Sequence, residues 1–216
     1  MKLKNKSISD YSKYKLSKID DSFSIHELDR IDELVINNKS IENDNETFSF
    51  YELYDFNNLE KLTLRFFDIE EEYIIVLNYF KRLKDIVFDN CNIFSIGKLK
   101  DLDSLSLINC KYDFNSINMK SLKNLTIINS KIDLNSINEF TSLKYLNISY
   151  CTLDGNLKLQ ELEDLHIDNT NILDFGFLKE LINLKSLTID TYQYEKAKYL
   201  IDNLNINIDI TIKGVM

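Results

Sequence analysis

The chain has 216 residues, a formal net charge of −9, no Pro and only four Gly. This length fits one large domain or two small ones. An apolar content of 44% argues against intrinsic disorder, and the scarcity of Gly argues against a glycine-rich phosphate-binding loop. The sequence has no basic segment followed by a long apolar run, so we expect a cytoplasmic chain with no membrane association.

The charge is unevenly distributed along the chain. Residues 1–20 carry six Lys and two Asp, a net +4 that leaves −13 on the remainder. Such an acidic body argues against nucleic-acid binding, because Lys and Arg contacts to phosphate dominate that affinity. It is compatible with a basic protein partner, and also with a surface whose charge only maintains solubility. Residues 1–20 fit no repeat and are expected to form an N-terminal tail or cap.

One sequence frame, L-x-x-L-x-L-x-x-[C/S/T]-x-[I/L], recurs from residue 31 onward. Its clearest copies begin at Leu83, Leu102, Leu122, Leu143 and Leu162, and looser copies begin at Ile31, Leu59 and Leu184. The residues at the fourth frame position, from Leu34 to Leu187, follow one another at steps of 19–28 residues. Eight copies in one frame indicate a repeat architecture.

This frame resembles the leucine-rich-repeat family over about residues 21–212, especially the short repeats of internalins and phosphatase regulatory subunits. The resemblance implies an α/β solenoid, a curved horseshoe with a parallel sheet on its concave side. Short helical, 3₁₀ or irregular segments would line the convex side. It further implies a single domain over residues 21–216 with about eight repeats.

Alternation along a strand explains the frame. The fourth and sixth positions point to one face, and the third, fifth and seventh point to the other. Stacking the repeats buries the first face, which a single strand cannot do alone. The ninth position turns inward, so a ladder of small side chains is expected there: Cys91, Cys110, Ser130, Cys151 and Thr170. Asn often stands at the eighth position (Asn38, Asn90, Asn109, Asn129 and Asn169), where it tolerates a left-handed backbone.

The segments between the strands differ in length. Residues 70–83 are amphipathic and begin with three Glu, which favours a helix. Residues 93–184 hold short returns that suit 3₁₀ or irregular turns. Near the end of the chain, residues 194–204 predict a C-terminal helix. The alternating Ile residues over 206–212 predict a closing strand.

The outward frame positions are the candidate partner-binding residues. Small side chains beside two Ile form a possible central floor, and Asp164, His166, Asp168 and Asp190 form an acidic end. Asp168 and Asp190 are expected to lie side by side and repel, a cost that a basic partner would relieve. The full candidate set is Asp85, Asp89, Ser106, Ile108, Thr126, Ile128, Tyr145, Asn147, Asp164, His166, Asp168 and Asp190.

These residues favour a non-catalytic protein–protein interaction module that binds a protein partner on its concave face. Two alternatives remain open: an acidic immunity or inhibitor protein that neutralises a basic toxin or enzyme, and an exported host-contact protein. Catalysis finds little support, because the chain has two His, inward-pointing thiols and no catalytic motif. We expect no cofactor and no metal, and a monomer from a bacterium.

Overall fold

The computed structural model describes residues 2–4, 6–38, 49–94, 99, 102–112, 119–172, 174–204 and 207–214. The α-helices are α1 (Lys6–Leu16), α2 (Ile25–Leu28), α3 (Glu71–Leu77), α4 (Leu134–Ile137) and α5 (Thr191–Asp202). The strands are β1 (Glu33–Asn37), β2 (Lys61–Arg65), β3 (Asp68–Ile69), β4 (Asp85–Asp89), β5 (Asn92–Ile93), β6 (Ser104–Ile108), β7 (Lys111–Tyr112), β8 (Asn124–Ile128), β9 (Lys131–Asp133), β10 (Tyr145–Ser149), β11 (Thr152–Asp154), β12 (Asp164–His166), β13 (Ser186–Asp190) and β14 (Asp209–Lys213). Two 3₁₀ helices span Phe50–Asp55 and Gly176–Glu180.

The contacts of the chain divide it into two compact units. The first comprises residues 1–102 and 110–117. In it, β1, β2 and β4 pair in parallel, with Leu34 opposite Leu62 and Leu62 opposite Ile86. The short strands β3, β5 and β7 form a second parallel ladder in the same unit. Each frame position therefore lies opposite the same frame position of the next repeat.

The second unit comprises residues 103–109 and 118–216. Its strands pair in parallel in the order β6, β8, β10, β12, β13 and β14, and β9 pairs with β11. The frame stays in register here as well, with Leu125 between Leu105 and Leu146. The predicted parallel α/β repeat fold is therefore confirmed.

The inward frame positions form the core of each unit. All sixteen residues at the fourth and sixth positions of the eight copies are 0–1% exposed. They are Leu34, Ile36, Leu62, Leu64, Ile86, Phe88, Leu105, Leu107, Leu125, Ile127, Leu146, Ile148, Leu165, Ile167, Leu187 and Ile189. Each short strand buries its apolar face against the return segments, which is how a repeat that cannot fold alone becomes stable in a stack.

A left-handed residue follows six of the frame strands: β2, β4, β6, β8, β10 and β12. Asn90, Asn109, Asn129 and Asn169 have φ between 52° and 56°, which confirms the role inferred for Asn. Asn38 has no positive φ; instead its side-chain amide donates to the Phe66 carbonyl, at 3.1 Å. Phe66 and Tyr150 adopt the left-handed conformation at φ 62° and 55°, although neither can bond locally as Asn does.

Replacing Tyr150 by Asn should therefore stabilise the protein. Tyr150 is 50% exposed, so its ring contributes little packing, whereas its φ of 55° carries the left-handed cost. We expect Tyr150→Asn to raise the free energy of unfolding by about 1 kcal/mol in urea melts. Tyr150→Phe keeps the backbone cost and should change nothing. A loss of stability in Tyr150→Asn would show that the ring matters more than the backbone.

The two ends of the chain are built differently. At the N-terminal end α1 contacts β1: Ile8 is fully buried, and the Asn37 N–H donates to Ser7 Oγ at 3.3 Å. At the other end α5 begins at Thr191, earlier than the pattern predicted, because Asp190 caps it. β14 spans Asp209–Lys213, against the strand predicted over residues 206–212, of which residue 206 lies outside the described residues.

The predicted helix near residue 70 is present and is shorter than expected. α3 covers Glu71–Leu77, and Glu71 and Glu72 lie in its first turn, where a negative charge is favourable. Among the residues that the structure describes, no helix is long and apolar enough to cross a membrane.

Candidate functional site

On the outward strand face of the first unit, acidic side chains form ion pairs with basic side chains of the neighbouring strand. Lys61 lies opposite Asp85, with Nζ 3.6 Å from Oδ2, and Arg65 lies opposite Asp89, with Nε 3.2 Å from Oδ2. Both pairs follow from the frame register, since each places opposite charges on neighbouring strands. The candidate residues Asp85 and Asp89 are therefore already paired within the chain.

In the second unit the corresponding face carries small and apolar side chains. Ser106 lies opposite Thr126, and Ile108 lies opposite Ile128, all of them half-buried. We call the outward residues of β6, β8, β10 and β12 in this unit, apart from the buried Ser149, the polar strand face. It consists of Ser104, Ser106, Ile108, Asn124, Thr126, Ile128, Tyr145, Asn147, Asp164 and His166.

An aromatic pair borders the small residues of this face. Tyr145 on β10 lies opposite Asp164 on β12, and its ring centroid is 5.2 Å from that of His166. Asn147 lies opposite His166 and accepts a hydrogen bond from Ser149 Oγ at 2.6 Å. Tyr and His are amphipathic, so this corner offers a partner both apolar contact and hydrogen bonding.

Burial lowers the pKa of His166 from its ordinary value of 6.5, and the positive charge of Lys213 lowers it further. Asp168 and Asp164 oppose this shift without cancelling it. His166 is therefore neutral near neutral pH. A neutral imidazole has one ring nitrogen that can donate a hydrogen bond and one that can accept it.

This shift predicts a pH dependence of stability. Between the lowered pKa in the folded state and the ordinary value of 6.5, the unfolded chain binds a proton that the folded chain does not. Stability therefore falls as the pH is lowered through that range. We expect the slope to be shallower in His166→Gln, measured by thermal melts across the range. A His166 pKa above 6.5 in an NMR titration would contradict this prediction.

Asp168 is structural rather than open to a partner. It is 3% exposed, and its Oδ1 lies 3.1 Å from Lys213 Nζ and accepts from Ser149 Oγ at 3.0 Å. Burial raises the pKa of the Asp168 carboxyl. The hydrogen bonds from Lys213 and Ser149 outweigh burial, so the pKa lies below its ordinary value.

Asp190 is also buried, and its carboxylate is hydrogen-bonded within the chain. It is 5% exposed and caps α5: its Oδ1 accepts from the Gln193 N–H at 2.8 Å, and the Gln193 side chain accepts from the Asp190 N–H at 3.0 Å. This reciprocal pair is a capping box. The other oxygen, Oδ2, accepts from the Asn169 N–H at 3.0 Å.

The expectation that Asp168 and Asp190 form an open, repelling pair is therefore wrong. β12 ends at His166, so Asp168 lies beyond the strand and turns toward Lys213 on β14. Asp190 ends β13 and begins α5. Asp164 and His166, by contrast, remain half-buried on the polar strand face.

The ninth frame positions lie inside the turns. Cys91, Cys110 and Cys151 are buried, free thiols, and each donates to the carbonyl at the sixth position of a neighbouring repeat. These acceptors are Leu64, Phe88 and Ile127, at 3.3–3.4 Å. Ser130 Oγ and Thr170 Oγ1 donate to carbonyls of their own repeats, Ile128 and Ile167. Cys91 and Cys151 likewise lie within hydrogen-bond distance of carbonyls of their own repeats, Asp89 and Ser149. The polar atom at this position therefore adds a side-chain hydrogen bond to the backbone at the end of the strand.

The sequence interpretation missed two structural residues, Gln193 and Lys213. Gln193 Nε2 donates to the Ile167 carbonyl and to Thr170 Oγ1, both at 2.7 Å. An Asp three residues before a Gln is the capping-box signal and could have revealed it. Lys213 lies opposite Asp190, so extending the frame into β14 would have placed it at an outward position.

No arrangement in the described part of the chain brings three His, Cys, Asp or Glu side chains together to hold a metal ion.

Solved structures show what this arrangement resembles. The chain matches internalin C2 from Listeria monocytogenes with a TM-score of 0.63 and 19% identity, over 98% of this chain and 94% of that one. Internalin F from the same species matches with a TM-score of 0.50 and 18% identity, over 97% and 77%. No family model and no curated protein matches the sequence.

The fold is the leucine-rich-repeat fold. The in-register parallel strands and the sequence frame define it, and the internalin structures share it.

Proposed function

We propose that this chain is a non-catalytic protein-interaction module that binds a protein partner on the polar strand face. One observation carries the proposal: Ile108 and Ile128 lie side by side, half-buried, beside the hydroxyls of Ser106 and Thr126. Small side chains let a partner approach the sheet closely, while the two Ile supply apolar area to bury. The adjacent Tyr145 belongs to the residue types that contribute most to interface affinity.

The contrast between the two units supports this choice of surface. In the first unit the Lys61–Asp85 and Arg65–Asp89 pairs must lose water before a partner can cover them. On the polar strand face, Ser106, Ile108, Thr126 and Ile128 carry no charge, so their burial costs less. The similarity to internalins is consistent with a binding role but extends to the fold alone.

The acidity of the chain is a weaker guide to the partner. An immunity-type protein would present unpaired carboxylates to a basic toxin or enzyme. Asp168 and Asp190 are buried and bonded within the chain, and Asp85 and Asp89 already face cations. We therefore propose a partner that recognises shape and apolar contact.

The test is a comparison of two Thr→Arg variants. Thr126→Arg places a long charged side chain among Ser106, Ile108 and Ile128, and should abolish retention of the partner from a native lysate. Thr141→Arg places the same side chain on an exposed return segment and should retain it. Titration of the purified partner should then show at least about a tenfold weaker Kd for Thr126→Arg only, equal to about 1.4 kcal/mol.

Two results would contradict the proposal. Equal binding by Thr126→Arg and the wild type would exclude the polar strand face. Loss of binding in Thr141→Arg alone would place the partner on the return segments. Circular dichroism melts establish that both variants are folded.

A further inference from the structure

The last strand of the second unit leaves part of the repeat core uncovered. β14 pairs with β13 in frame, so Ile210 and Ile212 occupy positions equivalent to Leu187 and Ile189. Those two residues are fully buried, whereas Ile212 is 45% exposed. β14 is the terminal strand in the sheet order, with β13 on one side. The apolar end of the stack is therefore accessible at this edge.

Among the residues that the structure describes, one side of the β14 backbone has no strand paired with it. The Asp209 N–H donates to the Lys185 carbonyl at 2.8 Å. Alternate residues of a strand direct their N–H and C=O groups to opposite sides. Asp209, Thr211 and Lys213 therefore bond toward β13, while the N–H and C=O of Ile210 and Ile212 point away from it. An exposed strand edge of this kind is a template for pairing with another strand.

In contrast to β14, the N-terminal strand β1 is covered by a helix. In the first unit α1 covers β1, with Lys15 Nζ 2.9 Å from Glu33 Oε2 and Ser7 Oγ accepting from the Asn37 N–H. Such covering is a usual way for a protein to prevent edge-to-edge association. Within the described residues, the elements that β14 chiefly contacts are β13 and α5.

We propose that β14 pairs with β14 of a second copy of this chain, antiparallel and centred on Thr211. This register places Asp209 opposite Lys213 of the second copy, so the two ends attract. It also places Ile210 opposite Ile212 of the second copy. The backbone N–H and C=O groups of these two residues point away from β13. In an antiparallel ladder such a pair exchanges two hydrogen bonds. The sequence Asp209-Ile210-Thr211-Ile212-Lys213 is thus complementary to itself under a two-fold rotation.

The same rotation keeps the faces of the sheet continuous. Its axis is perpendicular to the sheet, so Asp209, Thr211 and Lys213 stay on the outward face and both Ile stay on the core side. Lys213 already bonds Asp168, but its side chain is 49% exposed and its ammonium has three donors. It can therefore contact Asp209 of the second copy as well. This dimer departs from the monomer expected from the sequence, and it leaves β6, β8 and β10 free to bind another protein.

A disulfide trap tests the register. The Thr211–Thr211 pair is a non-hydrogen-bonded pair with Cα atoms about 4.5 Å apart, within the range a disulfide spans. Thr211→Cys should form an intermolecular disulfide on mild oxidation. Asp209→Cys, on the same strand, faces Lys213 of the second copy and should remain unlinked. The buried native thiols should not react.

Sedimentation equilibrium measures the association itself. The wild type should reach twice its mass of 25.5 kDa at high concentration. Asp209→Lys replaces two attractive contacts by repulsive ones and should weaken the dimer by about tenfold. Asp202→Lys makes the same charge change at the end of α5 and should associate as the wild type does. Mixing Asp209→Lys with Lys213→Asp should restore a dimer, because each chain then complements the other.

Three results would each contradict the β14 dimer. A single-chain mass for the wild type at all concentrations would overturn the proposal. So would a dimer that Asp209→Lys does not weaken, or equal cross-linking of Thr211→Cys and Asp209→Cys. If Lys213→Asp does not fold, the other variants still decide the question. None of these results depends on the protein partner of the polar strand face.

Discussion

Leu125→Ala is expected to lower the free energy of unfolding by about 2–5 kcal/mol. Leu125 is fully buried on β8 between Leu105 and Leu146, so the truncation leaves a cavity inside the stack. The neighbouring Asn124 points outward and is exposed, and its side-chain amide donates to Ser104 Oγ at 2.9 Å. Asn124→Ala should therefore cost less than about 0.5 kcal/mol. Urea melts of the two variants measure the difference.

Equal losses of stability in these two variants would contradict the orientation of β8. Leu146→Ala on the next strand provides a repeat of the test, since Leu146 occupies the same frame position and is equally buried.

Asp168→Ala combined with Asp190→Ala is expected to destabilise the protein by about 4–6 kcal/mol. Loss of the Asp190 cap should cost about 1–2 kcal/mol. Loss of Asp168 removes charge-assisted hydrogen bonds with Lys213 and Ser149, each worth about 1.5–3 kcal/mol in a buried site. Because Lys213 is half-exposed, we expect the lower end of that range from its bond.

The control for this double variant is Asp164→Ala, on the polar strand face of β12. Asp164 is half-buried and takes no part in the Lys213 or Gln193 bonds, so its loss should change stability by less than about 0.5 kcal/mol. A double variant more stable than the wild type would mean that Asp168 and Asp190 repel each other, as the sequence alone suggested.

The repeat fold was predictable because a single frame carries both the strand and its buried face. Leu125 and Ile127 could be assigned inward from alternation alone, and the turn conformation of Asn129 followed from its residue type. Tyr150 could not be predicted in the same way. Its left-handed φ is imposed by the stack, which overrides the preference of a Tyr residue.

The acidic end was misjudged because its charges are balanced over long sequence separations. Lys213 lies 45 positions from Asp168, and no local pattern joins them. The same holds at the second frame position, where Lys144 Nζ lies 2.9 Å from Glu163 Oε1 and Lys185 bonds the other oxygen. These hydrogen bonds, with that from Lys185 first, lower the pKa of Glu163 to about 2. Only the strand register brings such groups together.

The sequence predicted which residues of the candidate face point outward, but not which of their side chains contact one another. The frame assigned Ser106, Ile108, Thr126 and Ile128 to outward positions, which the structure shows half-buried side by side. The frame also aligned Lys61 with Asp85 and Arg65 with Asp89, but it did not show how closely these side chains approach, at 3.6 Å and 3.2 Å. That approach depends on side-chain geometry between neighbouring strands.

A cysteine scan along β8 tests the central claim, that one frame decides which residues are buried and which are offered to a partner. Asn124, Leu125, Thr126, Ile127 and Ile128 are replaced one at a time by Cys, and the rate of thiol labelling is measured in the native protein. The three native thiols are buried and should contribute only a slow background. We expect fast labelling at 124, 126 and 128 and slow labelling at 125 and 127. Uniform rates, or the opposite alternation, would contradict the account.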